Sequence, residues 1–143
     1  MRSKYFKIHE LIPPHIYKKL GKKAWRLIDS RLVESIDQLK KDFPNGTMTI
    51  NNYKWGGVRQ WSGLRTKRSP DYSDTSMHSL GSAIDAVFNA YDEEDVRQYI
   101  IANPKKYPHI KGIEMGISWL HIDTRNQNKL VMFYPNQQKK VIL

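Results

Sequence analysis

The chain has no cysteine among its 143 residues. That excludes disulfides and any thiolate metal ligand, so a metal centre here would have to be built from histidine and carboxylate. A long apolar run is also missing. The N-terminus, Met1-Arg-Ser-Lys-Tyr-Phe-Lys, is basic like the first region of a signal peptide, but Ile8-His9-Glu10-Leu11-Ile12-Pro13 after it is broken by charge and proline. The expectation is no signal peptide and no membrane span, with synthesis in the cytoplasm. Acidic residues are scarce, with 14 Asp and Glu against 24 Lys and Arg, for a net charge of +10. Such an excess favours polyanions, either nucleic acid or anionic cell-envelope polymer. The lysines come as scattered pairs (Lys18-Lys19, Lys22-Lys23, Lys40-Lys41, Lys105-Lys106, Lys139-Lys140) rather than as one tract. Solvated surface charge accounts for these pairs equally well. Internal repeats, low-complexity tracts and linkers are absent too.

What remains reads as one domain over residues 1–143, with a helical N-terminal segment (1–44) and a part carrying the chemistry (45–135). Pro13-Pro14 opens a short helix that Gly21 ends. Over residues 22–43, Trp25, Ile28, Leu32, Ile36, Leu39 and Phe43 recur at steps of three or four, which predicts one amphipathic helix packed on a sheet. Pro44-Asn45-Gly46 turns the chain, and Thr47–Asn51 alternates as a strand. Asn52–Met77 is long and irregular, the kind of segment that carries function. It holds Arg59, Arg65, Lys67 and Arg68, and three aromatics, Tyr53, Trp55 and Trp61, that either line a groove or plug the core edge. Asp92 is a natural N-cap for a helix through about Ala102, and the acids Glu93, Glu94 and Asp95 suit its first turn. Val131–Tyr134 is a last strand before a polar, basic tail.

Two stretches carry the chemistry. In Ser82–Phe88 alternate residues share a face, so Ala83, Asp85 and Val87 lie together. Gly81 lets the chain bend, so that His78 folds back over Asp85. In Trp119–Thr124 the residues Trp119, His121 and Asp123 share a face. Pairing these strands brings His121 to Asp85. Two imidazoles, one carboxylate and a water form a donor set that zinc accepts, and three protein ligands with an open position mark a catalytic rather than a structural ion.

Ser76-x-His78-x-x-Gly81-x-Ala83-x-Asp85 resembles the ten-residue signature of the zinc D-Ala-D-Ala carboxypeptidase family at every fixed position. That family includes vancomycin-resistance D,D-dipeptidases and phage L-alanyl-D-glutamate endolysins, and Hedgehog signalling domains share its fold. Ser62-Gly63-Leu64-Arg65 is similar to the family's S-G-x-R segment, and His121-Ile122-Asp123 to its H-x-D end. The resemblance spans about Asn51 to Arg125.

The resemblance implies an α+β fold, a small antiparallel sheet with helices packed on one face, as in Hedgehog domains and D-Ala-D-Ala peptidases. It implies Zn2+ held by His78, Asp85 and His121, with Arg65 positioning substrate. Ser76 is either near the substrate or fixes its loop by a hydrogen bond. Asp123 either orients a ligand or substrate group or pairs with a basic side chain such as Arg125. Many members place a catalytic glutamate three residues before the last histidine, where this chain has Ser118. The nearest upstream carboxylate, Glu114, is the candidate base; the competing reading makes it a surface strand residue. The implied activity is hydrolysis of peptidoglycan stem peptides, by a D,D-carboxypeptidase or an L-alanyl-D-glutamate endopeptidase. It would serve in phage lysis or within a virion, beside virion proteins, acting on the cell wall. The alternatives are a zinc-containing binding or structural module of the same fold and, ranked lowest, a nucleic-acid binder.

Overall fold

The computed structural model describes residues 2–135 and 137–143, and side chains outside 136–140. Met1 and the side chains of Lys139-Lys140 therefore lie outside the described residues. The architecture is mixed α and β: three α-helices, α1 (Pro14–Leu20), α2 (Ser30–Asp42) and α3 (Glu93–Ala102), accompany a sheet. The six strands are β1 (Met48–Thr49), β2 (Ala83–Phe88), β3 (Gly112–Glu114), β4 (Leu120–Asp123), β5 (Val131–Tyr134) and β6 (Gln137–Ile142). Their spatial order is β1-β2-β4-β3-β5-β6.

The sheet is larger than expected and not wholly antiparallel. β3 and β5 run parallel, with Gly112 opposite Val131 and Glu114 opposite Phe133. The basic tail adds β6, antiparallel to β5 with a bulge near Tyr134. Its lysine-rich composition hid a strand that depends on an edge partner rather than on its own propensity.

The helix predicted over 22–43 is two elements. A 3-10 segment (Gly21–Leu27) precedes α2, and Ile28 between them is extended at φ −107°, ψ 131°. Asp29 makes the break. Its carboxylate caps α2 by accepting from Arg31 N–H, and its own N–H donates to the Gly81 carbonyl at 2.9 Å. Ser82 and Thr124 hydroxyls donate to Asp29 Oδ2 at 3.3 and 2.8 Å. One carboxylate thus ties the start of α2 to the start of β2 and the end of β4. The apolar spacing missed the break because its stripe continues through both segments into the same core.

That core lies on one face of the sheet. Ile84, Ala86, Ile113, Leu120 and Ile122 are fully buried in one cluster with Leu32, Ile36 and Leu39 of α2 and Val96 and Ile100 of α3. Each large side chain buried there contributes about 1.5–3 kcal/mol before entropy is counted. The alternate residues of the same strands face away from the core, and they carry the polar groups.

Candidate metal centre

Asp85 of β2 sits directly opposite His121 of β4 in an antiparallel pair. β3 flanks β4 on its other side, with Gly112 opposite Asp123 and Ile113 opposite Ile122. One residue further along that register, Glu114 comes alongside His121. Strand pairing therefore builds a row across the sheet: Asp85, His121, Glu114 and then Phe133, its partner on β5.

His78 arrives from outside the sheet. Turns over Ser76–Gly81 curl the chain above β2, closed by Ser82 N–H to the Met77 carbonyl at 2.9 Å. Gly81 has φ +69°, and a Cβ there would fall 1.9 Å from the Leu27 carbonyl oxygen, so only glycine fits the bend. Ser76 Oγ accepts from His78 N–H at 3.2 Å, which is the loop-fixing role.

The three side chains converge. One ligand atom each from His78, Asp85 and His121 lies within 4.8 Å of the others. His78 Nε2 is 3.2 Å and His121 Nδ1 2.9 Å from Asp85 Oδ1. The opposite ring nitrogens are already engaged: His78 Nδ1 donates to the Gly63 carbonyl at 2.9 Å, and His121 Nε2 to Asp123 Oδ2 at 3.0 Å. Fixing one nitrogen aims the other, as partners behind metal ligands do. Two imidazole nitrogens and a carboxylate oxygen, turned toward one point, fit a small divalent cation.

The segment Ser62–Arg65 holds this geometry from the side. The Ser62 carbonyl accepts from Asp85 N–H at 2.7 Å, and Arg65 N–H donates to the His78 carbonyl at 3.2 Å. The Arg65 guanidinium donates to Trp61 O at 2.8 Å and to Asp85 Oδ2 at 3.1 Å. Arg65 reaches the site, then, but its visible partner is a candidate ligand's second oxygen.

Asp123 is fully buried. Besides His121, it accepts from Arg125 Nε at 2.8 Å and Nη2 at 2.7 Å. Asp123 thus contacts both the His121 imidazole and the Arg125 guanidinium. Its neighbour on β3 is Gly112, where a Cβ would lie 2.2 Å from Asp123 Oδ1 and force that carboxylate to shift.

The charges explain the titration of the protein groups. Burial pushes the Asp123 carboxyl up, but hydrogen bonds from Arg125 and His121 outweigh it and hold the group down at about 2. Burial pushes His121 down, but its bonds to Asp123 and Asp85 raise it to about 9. With a carboxylate at each ring nitrogen, the imidazolium donates twice. Burial opposes ionisation of Asp85, yet His121 and His78 keep it below the usual carboxylate range.

Glu114 is half-buried beside the triad. A hollow of about 470 Å³ is lined by Glu114, Ser76, His78, Asp85, His121 and Trp119, together with Arg65 and Asp71. Burial raises the Glu114 carboxyl, against the pull of His121. A second hollow shares Arg65, Asp71, Asp85 and Trp119 and extends past Val58, Arg59 and Trp61.

Sequence reasoning missed three supporting residues. Arg97 of α3 has a side chain only 3% exposed. It donates to the carbonyls of Ile117 and Trp119, fixing the turn that launches β4. Arg97 follows an acidic first turn and resembled solvent-facing charge. Gly112 and Asp29 were equally silent, since their partners are distant in the chain. The acids Asp92–Glu94 are helix-end groups: Asp92 caps by accepting from Glu94 N–H, and Glu93 accepts from Phe88 N–H.

Compared with known protein families, with curated proteins and with solved structures, the chain matches none. No helix among the described residues is long and apolar enough to cross a membrane.

Proposed function

We propose that this chain is a zinc-dependent peptidase acting on the stem peptides of peptidoglycan. The observation that carries the reading is the convergence of His78 Nε2, Asp85 Oδ1 and His121 Nδ1, with the opposite nitrogen of each ring held by Gly63 or Asp123. The substrate class rests on the signature resemblance around Ser76–Asp85, as does the choice of a D,D-carboxypeptidase or L-alanyl-D-glutamate endopeptidase reaction.

When bound, zinc supplies a Lewis acid that polarises a carbonyl and lowers the pKa of water to about 7. The chain's own residues handle the proton. Glu114, alongside His121 in the sheet, is suited to take a proton from the attacking water. Its raised carboxyl pKa, due first to burial, brings it nearer the range where general acid–base catalysis is efficient. Water oxygen bonds to the scissile carbonyl carbon, the carbon–nitrogen bond breaks, and Glu114 returns the proton to the leaving amine. Arg65 holds Asp85 Oδ2 and so keeps Oδ1 turned to the histidines. Trp119 and Trp61 wall the adjoining hollow where peptide would lie.

The position three residues before His121, where the family's glutamate is common, is Ser118. The antiparallel pairing of β3 with β4 supports Glu114 for that role, because it brings this carboxylate alongside His121 from a distance along the chain. The test is incubation with purified peptidoglycan, with and without chelator, reading new ends by mass spectrometry. Released D-Ala or new L-Ala/D-Glu ends that chelation abolishes are expected. Stoichiometric zinc without new ends would instead support a non-catalytic module.

A further inference from the structure

Away from the sheet, the N-terminal residues, α1 and the 3-10 turn Tyr53–Trp55 enclose a separate hollow of about 530 Å³. That lies within the roughly 300–1,000 Å³ usual for ligand sites. Its walls include Tyr17, Trp25 and Trp55, with Lys7, Lys22 and Lys54 among them and no carboxylate. His9 lines it while only 7% exposed. Among the described residues its Nδ1 is the one buried side-chain nitrogen or oxygen atom without a hydrogen-bond partner.

That atom is unusual. A buried polar group is ordinarily paired, because leaving it unpaired forfeits the hydrogen bond it had with water. The ring is held edge-to-face by Tyr17, Tyr53 and Trp55, at centroid separations of 5.6, 6.5 and 5.1 Å, and these contacts give Nδ1 no partner. Burial, then Lys54 and Lys7, hold the His9 pKa down, so the ring stays neutral and offers one N–H and one lone pair. The atom itself is sealed from solvent, so the cationic, aromatic walls are the surface that the hollow presents.

We propose that this hollow docks a carboxylate-bearing sugar of a glycan strand. The ring's C–H face packs on Trp55 and Trp25, and the lysines neutralise the carboxylate. A stretched nucleic acid would use successive exposed aromatics along a groove. Here Trp55 is 65% exposed, but the other wall aromatics are half-buried around a single hollow. The loop that carries Trp55 continues to Val58 and Trp61, which line the hollow beside Asp85. The choice of polymer rests on the peptidoglycan reading; the binding does not require turnover.

The test uses the full chain with chelator present and three probes of equal length. These are peptidoglycan strands stripped of stem peptides, which carry free lactyl carboxylates, neutral chitooligosaccharide, and oligo-dT. Binding is measured by calorimetry at low salt. Trp55→Ala and Lys22→Glu change exposed residues, and their folding is checked by circular dichroism. The stripped strands are expected to bind at least about tenfold more tightly than chitooligosaccharide, and Trp55→Ala to weaken them about tenfold. Lys22→Glu is expected to weaken them a few-fold, with salt mimicking its effect. Equal affinity for the neutral sugar, unchanged binding by Trp55→Ala, or tighter binding of oligo-dT would each overturn the proposal. Cleavage of a soluble stem peptide by the wild-type chain reports separately on the peptidase reading, so either idea can fail while the other stands.

Discussion

His78 in the turn before β2, His121 on β4 and His9 in the 3-10 turn Ile8–Glu10 are all at least nine-tenths buried, yet they are built in opposite ways. His78 and His121 each have one nitrogen fixed from behind and the other turned to Asp85. His9 has aromatic neighbours and an Nδ1 with no partner. Burial alone therefore says little about a histidine. What its second nitrogen touches decides whether the ring is turned toward a shared point or left unpaired among aromatics.

The comparison breaks most sharply at the ligands. His121→Ala removes one donor of three and takes a hydrogen bond away from both Asp85 and Asp123. Zinc affinity should fall by more than the roughly 10–100-fold cost of losing a supporting partner. Near-stoichiometric zinc after dialysis of this variant would end the ligand assignment. Glu114→Gln should separate chemistry from binding: zinc content stays, while peptide cleavage falls by about 10²–10⁴-fold. Full activity in that variant would move the base elsewhere.

Asp123→Asn keeps all three ligands but weakens the anchor behind His121. Zinc affinity should drop about 10–100-fold, measured by competition with a chromogenic chelator. No change would show that backbone and Arg65 suffice to aim the ring.

A pH series sharpens the contrast further. The His121 pKa is raised to about 9 in the protein without a cation, against about 6.5 unfolded. Its contribution to stability is complete below about pH 6.5 and is lost as pH rises through about 9. A cation must displace the Nδ1 proton, so zinc affinity should rise with pH over the same window. The melting temperature of metal-free protein should fall from pH 6.5 to 9 while the increment given by zinc grows. Parallel curves for the two forms would contradict the double hydrogen bond at His121.

The smallest effect belongs to the other histidine. His9→Phe deletes an unpaired atom from an aromatic setting, so urea unfolding should shift by no more than about 1 kcal/mol in either direction. A loss of several kcal/mol would mean that Nδ1 is bonded in solution.

Much of the site was legible because strand alternation is a local rule. Asp85 and His121 were expected side by side, and their register pairs them directly. Gly81 was expected to bend His78 back, and it does so with positive φ. The caps at Asp92 and Gly21 were equally readable, since a cap is a contact between near neighbours. The misreadings lie where a residue's state depends on what it pairs with. The break at Asp29 and the parallel β3–β5 pair depend on partners well along the chain, and the strand in the basic tail depends on its pairing with β5. The place of Glu114 alongside His121 could not be read until β3 lay against β4.

The residues themselves determined which donors were possible: no thiolate, and two histidines and an aspartate spaced for strands and a glycine bend. Only the tertiary structure decided that these donors point at one place. Aiming an imidazole takes a second bond to its far nitrogen, and here those bonds come from Gly63, 15 residues before His78, and from an aspartate buried against a glycine of the neighbouring strand. Spacing along a chain fixes faces; convergence needs the strands and loops of the whole fold to close around the same point.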